Sequence, residues 1–415
     1  MKLSRSLSAY SAILAAASLL PLPLPLPLSA KDLAVHGATV YTMAGEPIKD
    51  GIVLVHDGKI AAVGMQGEVV IPENAEQLSA AVVMPGLIDA RTTVGLSGIL
   101  NSAHDQEQLE TSSPMQPELR AIDAYNGRDP LVTWLREFGI TTVNTGHAPG
   151  ALISGQTMIL KTNTEEITAD SVIRPYAMLA GSLGPDAMAD GGPGTRAKAV
   201  AMLRAELLKA QDYARKIEEG KADAEKNPDR DLRKEAFAAV LQKKVPLAIT
   251  VHRHQDIDAA LRLAKEFEFN LILDGASEAH LMLDTIKAAG VPVLVHPTMQ
   301  RAAGEAENMT MTLARQLHDA GIPFAFQSGH EGYVPKVHVV LFEAAMAATY
   351  GLPMEAALAG ITINAAKLLG ISERAGSLEV GKDADIALYD GNPLEFISHC
   401  VGVVIDGKVV SRDKR

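Results

Sequence analysis

The sequence predicts an α/β protein in which a barrel of alternating strands and helices is set into a smaller β-sandwich that both ends of the mature chain build together. Three observations carry this expectation. Both ends read as short alternating strands broken by tight-turn dipeptides, the long middle alternates apolar strand candidates with amphipathic stretches, and that middle is long enough for eight βα units. The implied boundaries are a leader over 1–30, a composite sandwich over 31–86 and 371–415, and a barrel over 87–370.

Residues 1–30 have the make-up of a signal peptide. Lys2 and Arg5 give a positive start, Ala12–Leu20 is apolar, and Leu28-Ser29-Ala30 offers a cleavage site. The PLPLPLPL run from Pro21 to Leu28 cannot continue a helix, which leaves the apolar stretch too short for the rival reading, a membrane anchor. A periplasmic or secreted location follows, with no membrane association once the leader is removed.

Next, Leu33–Tyr41 and Gly51–Val63 alternate apolar and polar residues around Gly45-Glu46-Pro47 and Asp57-Gly58, a hairpin pattern. At the far end Ala384–Leu388 and Val401–Val410 repeat it around Asp390-Gly391-Asn392-Pro393 and Asp406-Gly407. Between them, strands are expected at Val82–Ala90, Thr141–Thr145, Met178–Leu183, Ala248–His252, Asn270–Asp274, Val291–His296 and Phe324–Ser328, and the missing eighth at Met158–Leu160. Helical spacing marks Ile257–Phe267, Glu278–Ala289, Met309–Ala320 and Val337–Tyr350. The charged, Ala-rich stretch Thr195–Leu241 reads as outer helices, with a turn at Asn227-Pro228.

Composition narrows function. A net charge of -12, or about -14 once Lys2 and Arg5 leave with the leader, argues against nucleic acid and anionic membrane surfaces. Cys400 is the only cysteine, which excludes an internal disulfide and any cysteine-based metal cluster.

Several stretches resemble the metal-dependent amidohydrolase superfamily, in particular its imidazolonepropionase-like and dipeptidase-like branch. VVMPGLIDARTTVG over Val82–Gly95 is similar to the family's opening phrase, and TINAAKLLGI over Thr362–Ile371 with GSLEVGKDADIALYDGNPL over Gly376–Leu394 is similar to its close. Pro117–Asn126, Thr195–Leu207 and Asp256–Phe269 match further pieces, so the resemblance spans the mature chain. It implies a distorted TIM (β/α)8 barrel with a β-sandwich, and hydrolysis of carbon–nitrogen bonds in cyclic amides, ureas or dipeptides by a metal-bound water. It also implies association into homo-oligomers or with a homologous amidohydrolase.

The same resemblance implies ligands that this chain lacks. The two histidines of the opening phrase fall on Arg91 and Thr93, and arginine has no lone pair to offer a cation. No lysine stands at the mid-barrel position, since Lys161 lies on a different segment and is expected to face solvent. His252, with His254 as its register alternative, keeps one later ligand. Asp274 takes the place of the next, and Gly329 takes the place of the last-strand aspartate that serves as base.

Candidate site residues therefore gather at strand ends. His147, His252, Asp274, His296 and His330 are candidate ligands of a relocated single-metal site, which would hold a divalent metal, zinc first, if any is bound at all. Asp274 and Glu331 are the candidate acid–base groups, and Arg91, His254 and Gln156 the candidate substrate contacts. Each has a plainer reading: an ordinary strand-end histidine, a helix-capping Asp274, a solvated Glu331, or an Arg91 that fills a vacated site by a salt bridge. Two function classes result, a carbon–nitrogen hydrolase with a degenerate metal site and a non-catalytic barrel that binds a small anion or partners an active homologue.

Overall fold

A computed structural model describes residues 32–99, 102–163, 171–188, 191–221, 227–298, 302–330 and 339–415. The leader over 1–30 and Glu331 lie outside these residues.

The chain begins with β1 (Leu33–Val40), β2 (Ile48–His56), β3 (Lys59–Met65) and β4 (Glu76–Pro85). Here the chain departs from the expected single strand over Val82–Ala90: it breaks at Gly86 and continues as β5 (Leu87–Thr92). The break is steric. A side chain at position 86 would meet Thr141 Oγ1 at 2.2 Å, and the Gly86 amide turns away to bond the Asp385 carbonyl.

The middle carries α1 (Pro130–Glu137), β6 (Ile140–Thr145), β7 (Ile153–Gln156), β8 (Met158–Lys161), β9 (Val172–Arg174) and β10 (Leu179–Ser182). There follow α2 (Arg196–Gly220), α3 (Leu232–Leu241), β11 (Leu247–Val251), α4 (His254–Phe267), β12 (Leu271–Gly275), α5 (Leu283–Ala289), β13 (Val293–Val295), α6 (Leu313–Ala320) and β14 (Phe324–Phe326). Thr195 and Asp231 cap α2 and α3 by accepting backbone N–H bonds in their first turns, and both helices sit in the predicted outer stretch. Helices α7 (Val339–Thr349), α8 (Met354–Gly360) and α9 (Ile363–Leu368) lead to β15 (Ile386–Tyr389), β16 (Cys400–Ile405) and β17 (Lys408–Ser411).

Both ends meet in one seven-stranded sheet, in the order β17-β16-β15-β4-β1-β2-β3. The middle forms a six-stranded sheet, β14-β13-β12-β11-β10-β7, and a four-stranded sheet, β5-β6-β8-β9. Strands β10 to β14 run parallel, as do β5 and β6. The eighth strand expected at Met158–Leu160 exists, but β8 is antiparallel to β6, and β7 is antiparallel to β10. No crossover helix separates β6 from this segment, so the chain returns as a hairpin-like pair. The two sheets are not one continuous ladder. They touch through a Thr92–Gly329 bridge and through the amide and carbonyl of Thr157, which bond Met178 and Ala177.

Inside this wall Ile88, Ile159, Met178, Ala248, Ile272, Leu294 and Ala325 form an apolar layer, nearly one residue from each strand.

Lys161 overturns its expectation. It is buried, with Nζ 2.8 Å from Asp383, 3.1 Å from Asp385 and in direct contact with Asp406. The Gly-Lys-Asp-Ala-Asp turn returns to the barrel wall where β8 ends, so both its aspartates face that strand.

Among the described residues no helix is long and apolar enough to cross a membrane.

Candidate active site

Strand β5 sets the site. Its pairing with β6 slips between Asp89 and Thr92, so that three residue steps on β5 match two on β6. Such a bulge re-aims side chains, and Arg91 meets Asp274 at the end of β12. Arg91 Nε lies 2.9 Å from Asp274 Oδ2, with both side chains almost fully buried. Arg91 Nη2 donates to the His147 carbonyl at 2.9 Å, while Nη1 has no hydrogen-bond partner among the described residues.

Asp274 is fully committed. Thr250 Oγ1 donates to Oδ2 at 2.8 Å and Gln327 Nε2 donates to Oδ1. Burial, the largest single influence, would raise its pKa, but Arg91, Gln327, His330 and Thr250 together outweigh it and hold the carboxyl below its ordinary range.

Two histidines flank this pair. His147 is buried, and neither ring nitrogen has a hydrogen-bond partner among the described residues. Burial and then the Arg91 charge push its pKa down to about 4, so the ring is neutral near pH 7. His296 places Nδ1 3.1 Å from Glu343 Oε1, and its ring centroid is 6.3 Å from that of His330.

Glycines make room for three of these rings. A Cβ at Gly155 would come within 2.3 Å of His147, one at Gly275 within 2.7 Å of His252, and one at Gly329 within 2.3 Å of His296 Nε2. The position that carries the base in the resemblance is thus filled by a neighbouring imidazole, at a backbone φ of 80° that disfavours any side chain.

The structure gathers Arg91, His147, Asp274, His296 and His330 around one pole. His252 turns to Ser277, with Nδ1 2.8 Å from Oγ. His254 opens α4 and pairs with Glu278 at 2.8 Å, while its own side chain is 60% exposed, outside the cluster. Gln156 donates to the Pro117 carbonyl at 2.9 Å. Glu278 accepts the His254 amide at the start of α4, and α5 begins at Leu283 rather than at Glu278, after a short 3-10 turn over Ala279–Leu281.

Asp89 and Glu343 were missed by the sequence reading. Asp89 stands in the opening phrase itself, fully buried, accepting the amides of Ser328 at 3.0 Å and Arg91 at 3.3 Å, with Oδ2 unpaired among the described residues. Burial, only partly offset by Ser328, Arg91 and His296, raises its pKa to about 6. Glu343 had a legible signal, as the one charged residue in the apolar helix α7.

Asp89 and His147 oppose each other in the pH dependence of stability. Folded Asp89 keeps its proton up to about pH 6 where the unfolded chain releases it near 4, so this group favours folding less as pH rises. Folded His147 stays neutral down to about pH 4 where the unfolded chain protonates near 6.5, so its contribution falls as pH drops. Each is about 3 kcal/mol by its shift. Asp89→Asn should remove one arm and expose the other. Its melting temperature is expected to fall more steeply than the parent's between about pH 6.5 and 4.5, and equal slopes would show that Asp89 does not titrate there.

A divalent metal fits these residues poorly. Among the described residues no group of three His, Cys, Asp or Glu side chains is placed to hold one. Both Asp274 oxygens are already bound, and a guanidinium stands at the pole.

The chain belongs to the amidohydrolase family, whose model matches residues 82–410. It is similar to an imidazolonepropionase from Shewanella sp. (strain MR-4), 27% identical over 401 residues, covering 88% of this chain and 93% of that protein. It is also 26% identical over 350 residues to "Amidohydrolase tasK" of Hapsidospora irregularis, covering 78% of this chain but spanning only 36% of that longer protein. Among solved structures, an amidohydrolase from Thermotoga maritima MSB8 superposes with a TM-score of 0.86 at 29% identity, covering 92% of this chain and all of that one. The fold is accordingly TIM-barrel-like with an additional domain.

Proposed function

We propose that this chain hydrolyses a carbon–nitrogen bond in a small amide or cyclic amide that carries a carboxylate. The observation that carries this reading is Arg91: a buried guanidinium, braced by Asp274 and bonded through Nη2 to the His147 carbonyl, with its Nη1 and both His147 ring nitrogens unpaired among the described residues. Nη1 offers a donor to the substrate's anionic group, and neutral His147 offers an acceptor for a proton. Asp89 is poised to exchange a proton near pH 6. Overall, water adds its hydroxyl to the acyl carbon and its proton to the departing nitrogen. The similarity to imidazolonepropionases supports a cyclic substrate, and the Arg91 guanidinium occupies the pole that a metal would need.

Closure of the strands into one distorted barrel, a composite sandwich at the chain ends, export through residues 1–30 and pairing with a second copy or a homologous amidohydrolase belong to the same reading.

The test is turnover by purified protein on N-acyl amino acids, dipeptides and carboxylate-bearing cyclic amides, with chelator or with added zinc, nickel or iron. Product formation insensitive to chelator, with kcat/KM about 10²-fold lower in Arg91→Met, is expected. Turnover that requires metal would overturn the metal-independent site. No turnover under any condition, with saturable Arg91-dependent binding, would overturn the hydrolase reading in favour of a binding protein.

A further inference from the structure

The end of the barrel opposite the site carries an unusual concentration of positive charge. A cavity of about 400 Å³ is lined by Arg174, Lys243, Lys244, Pro246, Asn270 and Gly370 among others. A second, of about 580 Å³, is lined by residues including His318, Asn364 and Lys367, and the two share Gly290, Pro292 and Leu368. Their walls are the residues that directly precede β10 to β14, so both open on the N-terminal face of the strands. The apolar layer of Ile88, Ala248, Ile272, Leu294 and Ala325 lies between this face and the Arg91 pole.

Among the described residues no Asp or Glu lines either cavity, although the chain carries a net charge of -12. Elsewhere basic side chains are commonly paired, as Arg204 is with Glu266 and Arg230 with Glu235. Arg174, Lys243, Lys244 and Lys367 make no ion pair with a carboxylate among the described residues; Arg174 donates to the Gly370 carbonyl at 2.6 Å. Gly370 lets that guanidinium lie against the chain, since a Cβ there would sit 3.1 Å from Nη2. Lys243 holds a φ of 58° at the end of α3, a position where glycine is the usual residue. A cation is thus kept where a neutral residue would fit the backbone more easily.

We propose that this basic double cavity is a second binding site, which takes a small, multiply charged oxyanion bearing phosphate or carboxylate groups. Adjacent unneutralised cations cost each other repulsion that such a ligand relieves. Arg174 supplies a planar fork for one oxyanion group, and the two lysines and Lys367 supply point charges along the groove. The combined space matches a ligand of metabolite size. This site is independent of the reaction proposed above, because the apolar layer separates the two faces.

Titration calorimetry of the full chain with pyrophosphate and with citrate tests it, in about 0.05 M and about 0.5 M salt. Saturable binding of at least one probe is expected, weakened by salt. It should weaken by about tenfold or more in Lys243→Glu/Lys244→Glu, with the melting temperature unchanged. Lys198→Glu/Lys265→Glu, which reverses two exposed cations elsewhere, should leave affinity near that of the parent. Preference between the probes identifies the phosphate or carboxylate source. Binding of neither probe, or equal losses in the two double variants, would overturn the site.

Discussion

Lys161→Met is expected to destabilise the protein by about 3–5 kcal/mol, the range for removing one partner of a buried ion pair. The lysine is fully buried, and Asp383 and Asp385 beside it are only 2% and 5% exposed. Methionine matches the length of the stem but leaves Asp385 without the cation that offsets its burial, and leaves Asp383 to Lys59 and Arg374. Burial alone would raise Asp383; Lys161, Lys59 and Arg374 together hold it down to about 2. Asp385 stays raised, because burial outweighs the same lysine. The depressed Asp383 contributes stability that is present above about pH 4 and is lost as pH falls toward 2. Urea denaturation at pH 7 and across the acid limb measures both effects. Adding Asp385→Asn to Lys161→Met should recover part of the loss, and strictly additive losses would show that the two groups are not coupled.

This cluster marks where sequence reasoning stopped. The alternation at the chain ends and the βα rhythm of the middle placed most strands within a residue or two, because periodicity reports burial directly. Lys161 was misplaced because a lysine reads as solvated unless its partners are known, and those partners lie more than 200 positions away. The antiparallel β7–β8 segment escaped for a related reason: strand direction is set by partners, and a four-residue apolar run looks the same either way. At the site, Arg91, His147, Asp274, His296 and His330 were legible from their strand-end positions. Asp89 was not, since a carboxylate inside an apolar phrase declares itself only when its surroundings show that nothing neutralises it. The contrast between His252 and His296 was equally hidden, because it depends on which ring lies over which glycine.

Reinstating the family ligands by Arg91→His, Thr93→His and Gly329→Asp is expected to fail to create a metal centre. If the ligands alone had been lost, the three changes should suffice. The space at position 329 decides against this. Its backbone φ of 80° costs an L-residue about 1–2 kcal/mol, and its Cβ would lie 2.3 Å from His296 Nε2. Displacing that ring would strain its contact with Glu343, a buried acid that also accepts the Thr298 amide at 2.6 Å. Removing Arg91 meanwhile leaves Asp274 buried without its cation. The triple variant should therefore lose several kcal/mol of stability and bind less than stoichiometric zinc by elemental analysis, while Gly329→Ala alone already lowers the melting temperature. One equivalent of zinc held by a normally folded triple variant would show that only ligands were exchanged. The expected failure would instead mean that the pocket was rebuilt around the guanidinium, with His296 and Gly329 now depending on each other.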